Sequence, residues 1–398
     1  MTTTSIAGEL FGLPTTHTSL QAEARALAAT FAPRAREIRQ HFLDHGEMHP
    51  ELWTAFCERG WPGLVISPGL GGTDGGLLGM TVVLEAFAAE GILLWMPVLG
   101  AAICHAIGQV GPEPVQERWL GRVTNGDTML ALAATEPECG HNLFRVKTEI
   151  RREGDHYVIN GLKRVTSGLD AADRVLVFGR APRTSDEEPA QFTAVLVDPR
   201  AAGATMTELP MRHREGVRQF QLELEDVVAP SDALVGVEGQ GLLVLWPFTH
   251  VERVLTAALG VGQADYSVAR SVERAKTRTI SGSTPIGAEQ AIQHPLANLY
   301  ARLEAARLFL YRTAARFDAG VDGFVVAGEA NMAKVLGADI AFDAADQAMQ
   351  TMGADAWDER EGWIDCFLDA RLARSGPVSN EFALNFIGQH VLGLPVHR

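Results

Sequence analysis

The stretch THVERVLTAALGVG, residues 249–262, holds one carboxylate, Glu252, in a run that otherwise reads as buried helix. At helical spacing Glu252 shares a stripe with Phe248, Leu255 and Leu259, the pattern of a core-facing side. Arg253 points about 100° away around the helix. The positions three and four residues on are Leu255 and Thr256, so no intrahelical salt bridge is available. A charge on an apolar face is costly unless something pairs it or uses it. The use open to a buried carboxyl is proton transfer, because an apolar site raises its pKa toward the operating pH.

Other chemistries find little support. The four cysteines, Cys57, Cys104, Cys139 and Cys366, are scattered without a CxxC, and the histidines form no HExxH. Metal chemistry and a disulfide framework are therefore not expected. The glycine-rich GLGGTDGG fits GxGxxG in no register, because the position five after Gly69 is Asp74, and it lies in a helical region without a βαβ unit. It reads as a surface turn. The net charge of −15 argues against nucleic acid or an anionic membrane as main partner. The first sixteen residues lack a basic region and apolar run, and no uninterrupted apolar stretch reaches 18 residues. With unpaired thiols, this gives the expectation of a cytoplasmic protein without a membrane span.

The elements that position Glu252 follow from periodicity. Residues 18–125 are helical in pattern, as in LQAEARALAATFAPRAREIRQHFLD and MTVVLEAFAAEGI. Between 127 and 237 the chain turns to short β-prone runs separated by turn residues, including ADRVLVFGRAP, QFTAVLVDP and RQFQLELEDVVAP, the look of a small barrel or sandwich. Long helices are expected at 242–276, 288–318, 323–351 and 380–393. The order α, then β, then α excludes a doubly wound sheet. Domains are assigned to 1–126, 127–237 and 238–398.

Several motifs in that order resemble the acyl-CoA dehydrogenase family. In LALAATEPECGHNLFRVKTEI, Thr135-Glu136-Pro137 and Gly140 match TEP-x-x-G-S-D, with His141 and Asn142 in place of Ser and Asp. VINGLKRVTSG resembles NG-x-K-x-W-I-T-N-G one residue short and without the tryptophan. RTISGSTPIGAEQAIQHPLA resembles R-x-x-F-G-x-x-I…Q-x-x-Q-x-x-L-A, keeping Arg278, Gly282 and Gln290 with Ser281 for Phe. AMQTMGADAW stands for Q-x-x-G-G-x-G, keeping Gln350 and Gly353 with Ala354 and Ala356 for glycines, and SNEFALNFIGQHVLGLP resembles the last helix.

The resemblance implies a mainly α fold with a central β domain: an N-terminal helical domain, a middle β-barrel and a C-terminal four-helix bundle. It implies FAD, acyl-CoA thioester as substrate, an electron-transfer flavoprotein as acceptor, and a homotetramer or homodimer. By the same resemblance Leu132, Ala134, Thr135, Gly140 and His141 contact the flavin, and Thr166 lies near its reactive nitrogen. Arg278 and Gln290 bind the pyrophosphate and adenine end, often across a subunit interface, and Gln350 and Gly353 receive the ADP portion. The implied reaction is α,β-desaturation: a base removes the α-proton while the β-hydrogen leaves as hydride.

Many family members carry that base as Glu in an E-G-T segment before the last helix. Here ARSGPVSNEF places Ser375 or Gly376 there, and neither can serve. A smaller group, including isovaleryl- and long-chain-type enzymes, carries it in an E-R context on the first long bundle helix, which Glu252-Arg253 matches. Glu252 is thus the expected base and Arg253 a substrate-side or structural cation. Glu381 is the competing carboxylate, read as a capping or solvent-facing residue. The acyl cavity is expected around 92–102 and 242–250. Two other functions stay open: a flavin oxidase or monooxygenase on the same fold, and a non-catalytic subunit of a hetero-oligomer.

Overall fold

The computed structural model describes residues 15–183, 190–212, 217–280 and 282–396. Ser281 and most of the N-terminal segment read for a leader lie outside them. Six helices come first: α1 (Thr15–Phe31), α2 (Ala35–His45), α3 (Pro50–Glu58), α4 (Gly76–Ala88), α5 (Trp95–Val110) and α6 (Glu113–Thr124). The apolar α4 and α5 are buried almost along their whole length, and the glycine-rich segment between α3 and α4 is an irregular turn.

Eight strands follow: β1 (Leu130–Ala133), β2 (Glu149–Glu153), β3 (His156–Ser167), β4 (Arg174–Arg180), β5 (Phe192–Val197), β6 (Ala204–Leu209), β7 (Gln219–Pro230) and β8 (Leu234–Val235). They run β6-β7-β3-β2-β4-β5-β8, with β1 parallel to β4. Among the described residues the two end strands, β6 and β8, are not paired with each other, so the expected barrel is hydrogen-bonded as an open sheet. Two bulges interrupt β3 against β7, between Ile159 and Gly161 and between Lys163 and Thr166. The second decides which side chains reach the site.

The C-terminal helices are α7 (Leu242–Thr277), α8 (Gln290–Asp318), α9 (Gly323–Met352), α10 (Trp363–Ala373) and α11 (Asn380–Phe386), the last running into a wider turn over Ile387–Val391. By length and composition α7 could cross a bilayer, although no uninterrupted apolar run marks it in the sequence. It is instead the central core helix, packed on α4, α5, α8 and α9. There Phe248, Leu255 and Leu259, the stripe shared with Glu252, are fully buried. One large apolar core joins the helices to one face of the sheet, and a second lies within the sheet domain. The site forms at the edge of the first, whose Leu99, Ala134, Leu245 and Phe248 line it.

Candidate active site

A cleft of about 360 Å³ opens between the sheet and the bundle. One helical face of α7 supplies Leu245, Phe248, Thr249, Glu252 and Arg253, at the three- and four-residue spacing that puts side chains on one side. Opposite stand Leu132, Ala134, Thr135, Gly140 and His141, from β1 and the turn after it. The start of α5 adds Trp95 and Leu99, and the segment before α11 adds Ser375–Val378. The expected cavity segments thus both reach the cleft. Ser375 and Gly376, the positions without a base, line the same space as Glu252.

Glu252 is 9 % exposed, and its carboxylate makes no hydrogen bond or ion pair among the described residues. Burial pushes it up to about 7, with the positive charges of Arg253 and Lys334 pulling the other way. Arg253 is half-buried, burial lowers its pKa, and its Nε has no partner. Lys334 of α9 is fully buried and donates to Asn380 Oδ1 at 2.7 Å. Burial brings it down to about 8. Glu252 is therefore held by cations that tune its charge without locking it in a salt bridge.

The raised carboxyl has a signed consequence for stability. Its folded value of about 7 lies above the ordinary 4.5, so between those pH values the native chain keeps a proton that the unfolded chain has released. The stabilisation is complete below the unfolded value and is lost as pH rises through the folded one. Glu252→Gln removes that loss. It is expected to be more stable than the parent at pH ~8 by up to about 3 kcal/mol, with the gap closing toward pH ~5. Urea unfolding of both proteins across that range checks this; a gap independent of pH would contradict it.

The wall opposite is fixed by an ion pair whose role the sequence reading did not identify. Lys163 on β3 is fully buried and donates to Glu136 Oε1 at 2.9 Å, to the Ala134 carbonyl at 3.1 Å and to the Phe178 carbonyl at 2.6 Å. Glu136 also accepts the backbone N–H groups of Lys147 and Thr148, at 2.7 and 2.9 Å. Burial pushes the Glu136 carboxyl up, but the Lys163 charge and these hydrogen bonds outweigh it and hold its pKa below the usual value. The Thr135 carbonyl accepts from Arg164 N at 2.9 Å. The TEP turn is thereby clamped to β3.

His141 closes that wall. Its Nε2 accepts from Ser379 N at 3.4 Å and its ring lies 5.5 Å from that of Phe382, linking the turn to α11. Burial, with Lys334 and Arg253 nearby, lowers its pKa. Glu381 does not line the cleft: it is exposed in the first turn of α11, where Ser379 caps the helix and hydrogen bonding lowers its pKa.

Thr166, expected near the flavin, lies on the other face of β3 from the cleft. It pairs with Phe220, a residue of the sheet's own core, and is not part of the cleft. Val165 and Ser167 take the cleft face, and Ser167 Oγ is 3.0 Å from Oε1 and 2.9 Å from Nε2 of Gln219, which also lines it. Successive strand residues face opposite sides, so a one-residue error of register inverts the assignment. An ungapped count from Lys163 would have put Ser167 at the motif's threonine. Accordingly Ser167→Ala is expected to cost about 1 kcal/mol of stability, the loss of a hydrogen-bonding hydroxyl. Thr166→Val, which deletes a buried hydroxyl without a partner among the described residues, should cost less or stabilise. Urea unfolding of both variants checks this; an equal loss in the two would contradict it.

Arg278, Gln290, Gln350 and Gly353 are all exposed and lie outside the cleft. Arg278 caps the far end of α7, 26 residues beyond Glu252, or about 39 Å of helix rise. The Arg274–Asp355 ion pair, at 2.5 Å, ties that end to the turn after α9 that begins at Gly353. Gly353 has φ +66°, which a side chain would strain. The residues expected at the adenosine end thus sit at the other end of the bundle from the cleft.

The folded unit and its cleft define a class. Three family models cover the chain in sequence: Acyl-CoA dehydrogenase, N-terminal domain over residues 14–127, middle domain over 131–227 and C-terminal domain over 239–392. The chain belongs to the acyl-CoA dehydrogenase family. Acyl-CoA dehydrogenase FadE12 of Mycobacterium tuberculosis is 37 % identical over 94 % of this chain and 96 % of its own length. Cyclohex-1-ene-1-carbonyl-CoA dehydrogenase of Geobacter metallireducens is 29 % identical over 91 % of this chain and 93 % of its own. Among solved structures, that of glutaryl-coenzyme A dehydrogenase with glutaryl-CoA superposes with TM-score 0.87, at 22 % identity, covering 97 % of this chain and 98 % of that one.

Proposed function

We propose that this chain is an FAD-dependent dehydrogenase that desaturates an acyl-CoA thioester between the α and β carbons, with Glu252 as the base. The observation that carries this is the convergence in one cleft of Glu252 with Leu132, Ala134, Thr135, Gly140 and His141, the residues the family pattern gives to the flavin. Those residues, with Ser167 and Gln219, would hold the flavin ring system along one wall of the cleft. Flavin bound there would supply the two-electron oxidation.

The chain's own residues do the rest. Glu252 Oε takes the α-proton; the apolar α7 face keeps it basic enough to do so near neutral pH. Arg253, with its unpartnered Nε, and the Lys334 ammonium place positive charge near a developing enolate. The rate is expected to rise with pH through about 7, as Glu252 deprotonates, and then to level. Arg278, Gln290, Gln350 and Gly353, being exposed and remote from the cleft, serve the adenosine end of a cofactor held with a second copy of the chain in a homodimer or homotetramer. An electron-transfer flavoprotein takes the electrons onward. The idle Glu252 of a non-catalytic subunit would not account for a carboxyl enclosed beside the flavin wall.

The test is anaerobic bleaching of the purified flavoprotein with a panel of acyl-CoAs. Loss of flavin absorbance with at least one thioester, slowed at least a hundredfold in Glu252→Gln, is the expected result. A parent that holds flavin and bleaches with none, while consuming oxygen to give a hydroxylated product, would replace this reading with the monooxygenase one.

A further inference from the structure

A second, much smaller cavity lies behind the cleft. It has a volume of about 30 Å³; Ile38, Phe42, Met48, Ile92, Leu94 and Met96 line it together with the polar Arg39 and His49, from α2, the turn after it, and the segment leading into and opening α5. Among the described residues, two line both spaces: Trp95 and Val217. Trp95 is the first residue of α5, and its indole N–H is buried without a partner. Packing alone holds the ring in place, and its removal breaks no hydrogen bond.

The sizes decide what the partition does. At about 360 Å³ the cleft sits at the low end of ligand sites, which run from about 300 to 1,000 Å³. It must also take the reacting edge of the flavin. The rear chamber has room for little more than one water-sized body, so no acyl chain passes the indole while the ring stands where it does. Removing the ring leaves part of its volume empty, because packed cores collapse only partly around a truncated side chain. That space would join the cleft to a chamber whose lining includes Ile38, Phe42, Ile92 and Leu94 beside Arg39 and His49.

Resting on the thioester reading above, we infer that Trp95 is the specificity-determining end wall of the acyl site and confines this chain to short or compact acyl groups. Val217 completes the wall from the strand side. The apolar part of the chamber behind, Ile38, Phe42, Ile92 and Leu94, is the continuation a longer chain would need. Each methylene admitted to it should tighten binding about fourfold, the worth of one buried CH₂.

The experiment is calorimetric titration of the flavin-loaded protein with butyryl-, hexanoyl-, decanoyl- and dodecanoyl-CoA, for the parent, Trp95→Ala and Trp95→Leu. In the parent, affinity is expected to rise from butyryl to hexanoyl and then to fall at least tenfold by dodecanoyl. In Trp95→Ala it should keep rising through decanoyl, for a gain of at least tenfold over the parent on the two long ligands. Trp95→Leu should fall between, and it decides the matter if the alanine variant does not hold flavin. A parent that binds dodecanoyl-CoA as tightly as hexanoyl-CoA overturns the inference. So does a flavin-loaded variant whose length profile matches the parent's. Because binding is read apart from bleaching, a shifted profile without bleaching keeps the Trp95 wall and removes the desaturation reading.

Discussion

Glu252→Gln is expected to lower turnover on the preferred acyl-CoA by about 10²–10⁴-fold, the usual worth of a positioned general base, while leaving flavin content unchanged. The amide keeps the shape of the carboxylate but cannot take a proton. The change also removes a buried group that pairs with nothing, so loss of activity by unfolding is not expected; the variant should be the more stable protein above neutral pH. KM should move little, because the carboxylate acts in the transition state more than in binding. Glu381→Gln is the comparison: that carboxylate is exposed, lies outside the cleft, and should change turnover less than threefold. Steady-state rates of the two variants check both statements. Equal loss in both would mean that the cleft carboxylate has no special part.

Lys163→Met should have the largest effect on stability, about 3–5 kcal/mol, the cost of removing one partner of a buried ion pair. The loss arises because Glu136 remains buried at 6 % exposure with only two backbone N–H groups to hold its charge. The Ala134 and Phe178 carbonyls lose a donor at the same time. A functional consequence follows from the same contacts. The TEP turn, proposed above to hold the flavin, is fastened to β3 partly through this ammonium, so flavin retention should fall together with stability. Pairing Lys163→Met with Glu136→Gln should recover most of the stability, since the stranded charge is then gone. Urea unfolding of the single and double variants measures the recovery. A single variant as stable as the parent would show that the pair carries little.

Much of the fold was legible in the sequence because the long helices are amphipathic or apolar without interruption. The run expected at 242–276 is α7 at Leu242–Thr277, and those at 288–318 and 323–351 are α8 and α9 within two residues. The helix α10, Trp363–Ala373, was not read. It follows the charged turn DEREG and ends before a Gly-Pro pair, and its short apolar side is satisfied only by tertiary packing against α9 and Tyr266 of α7. In the sheet, β1, β6 and β8 were not picked out, being short or half-exposed and defined by their neighbours. The Asn160-Gly161 pair looks like a turn signal but lies inside β3 at a bulge, where Asn160 hydrogen-bonds to Asp226.

Legibility in the site divides by distance along the chain. That Glu252 lines the cleft was legible because its misfit is local: one carboxylate on one apolar stripe. Leu132, Ala134, Thr135, Gly140 and His141 line it together because they share one short segment. That Thr166 faces away from it was not legible, because strand faces depend on a bulge that propensity does not mark. Ser167, Gln219 and Lys334 reach the site only through pairing and helix packing, so no sequence window holds the signal.

The most direct measurement of the central claim is hydrogen exchange at the α carbon. An acyl-CoA whose β position cannot be oxidised is incubated with the flavin-loaded protein in ²H₂O, and deuterium uptake is followed by mass spectrometry. If Glu252 is the base, the parent exchanges the α-hydrogen, faster as pH rises through about 7, and Glu252→Gln does so at least a hundredfold more slowly. Exchange at the same rate in both proteins would contradict the assignment.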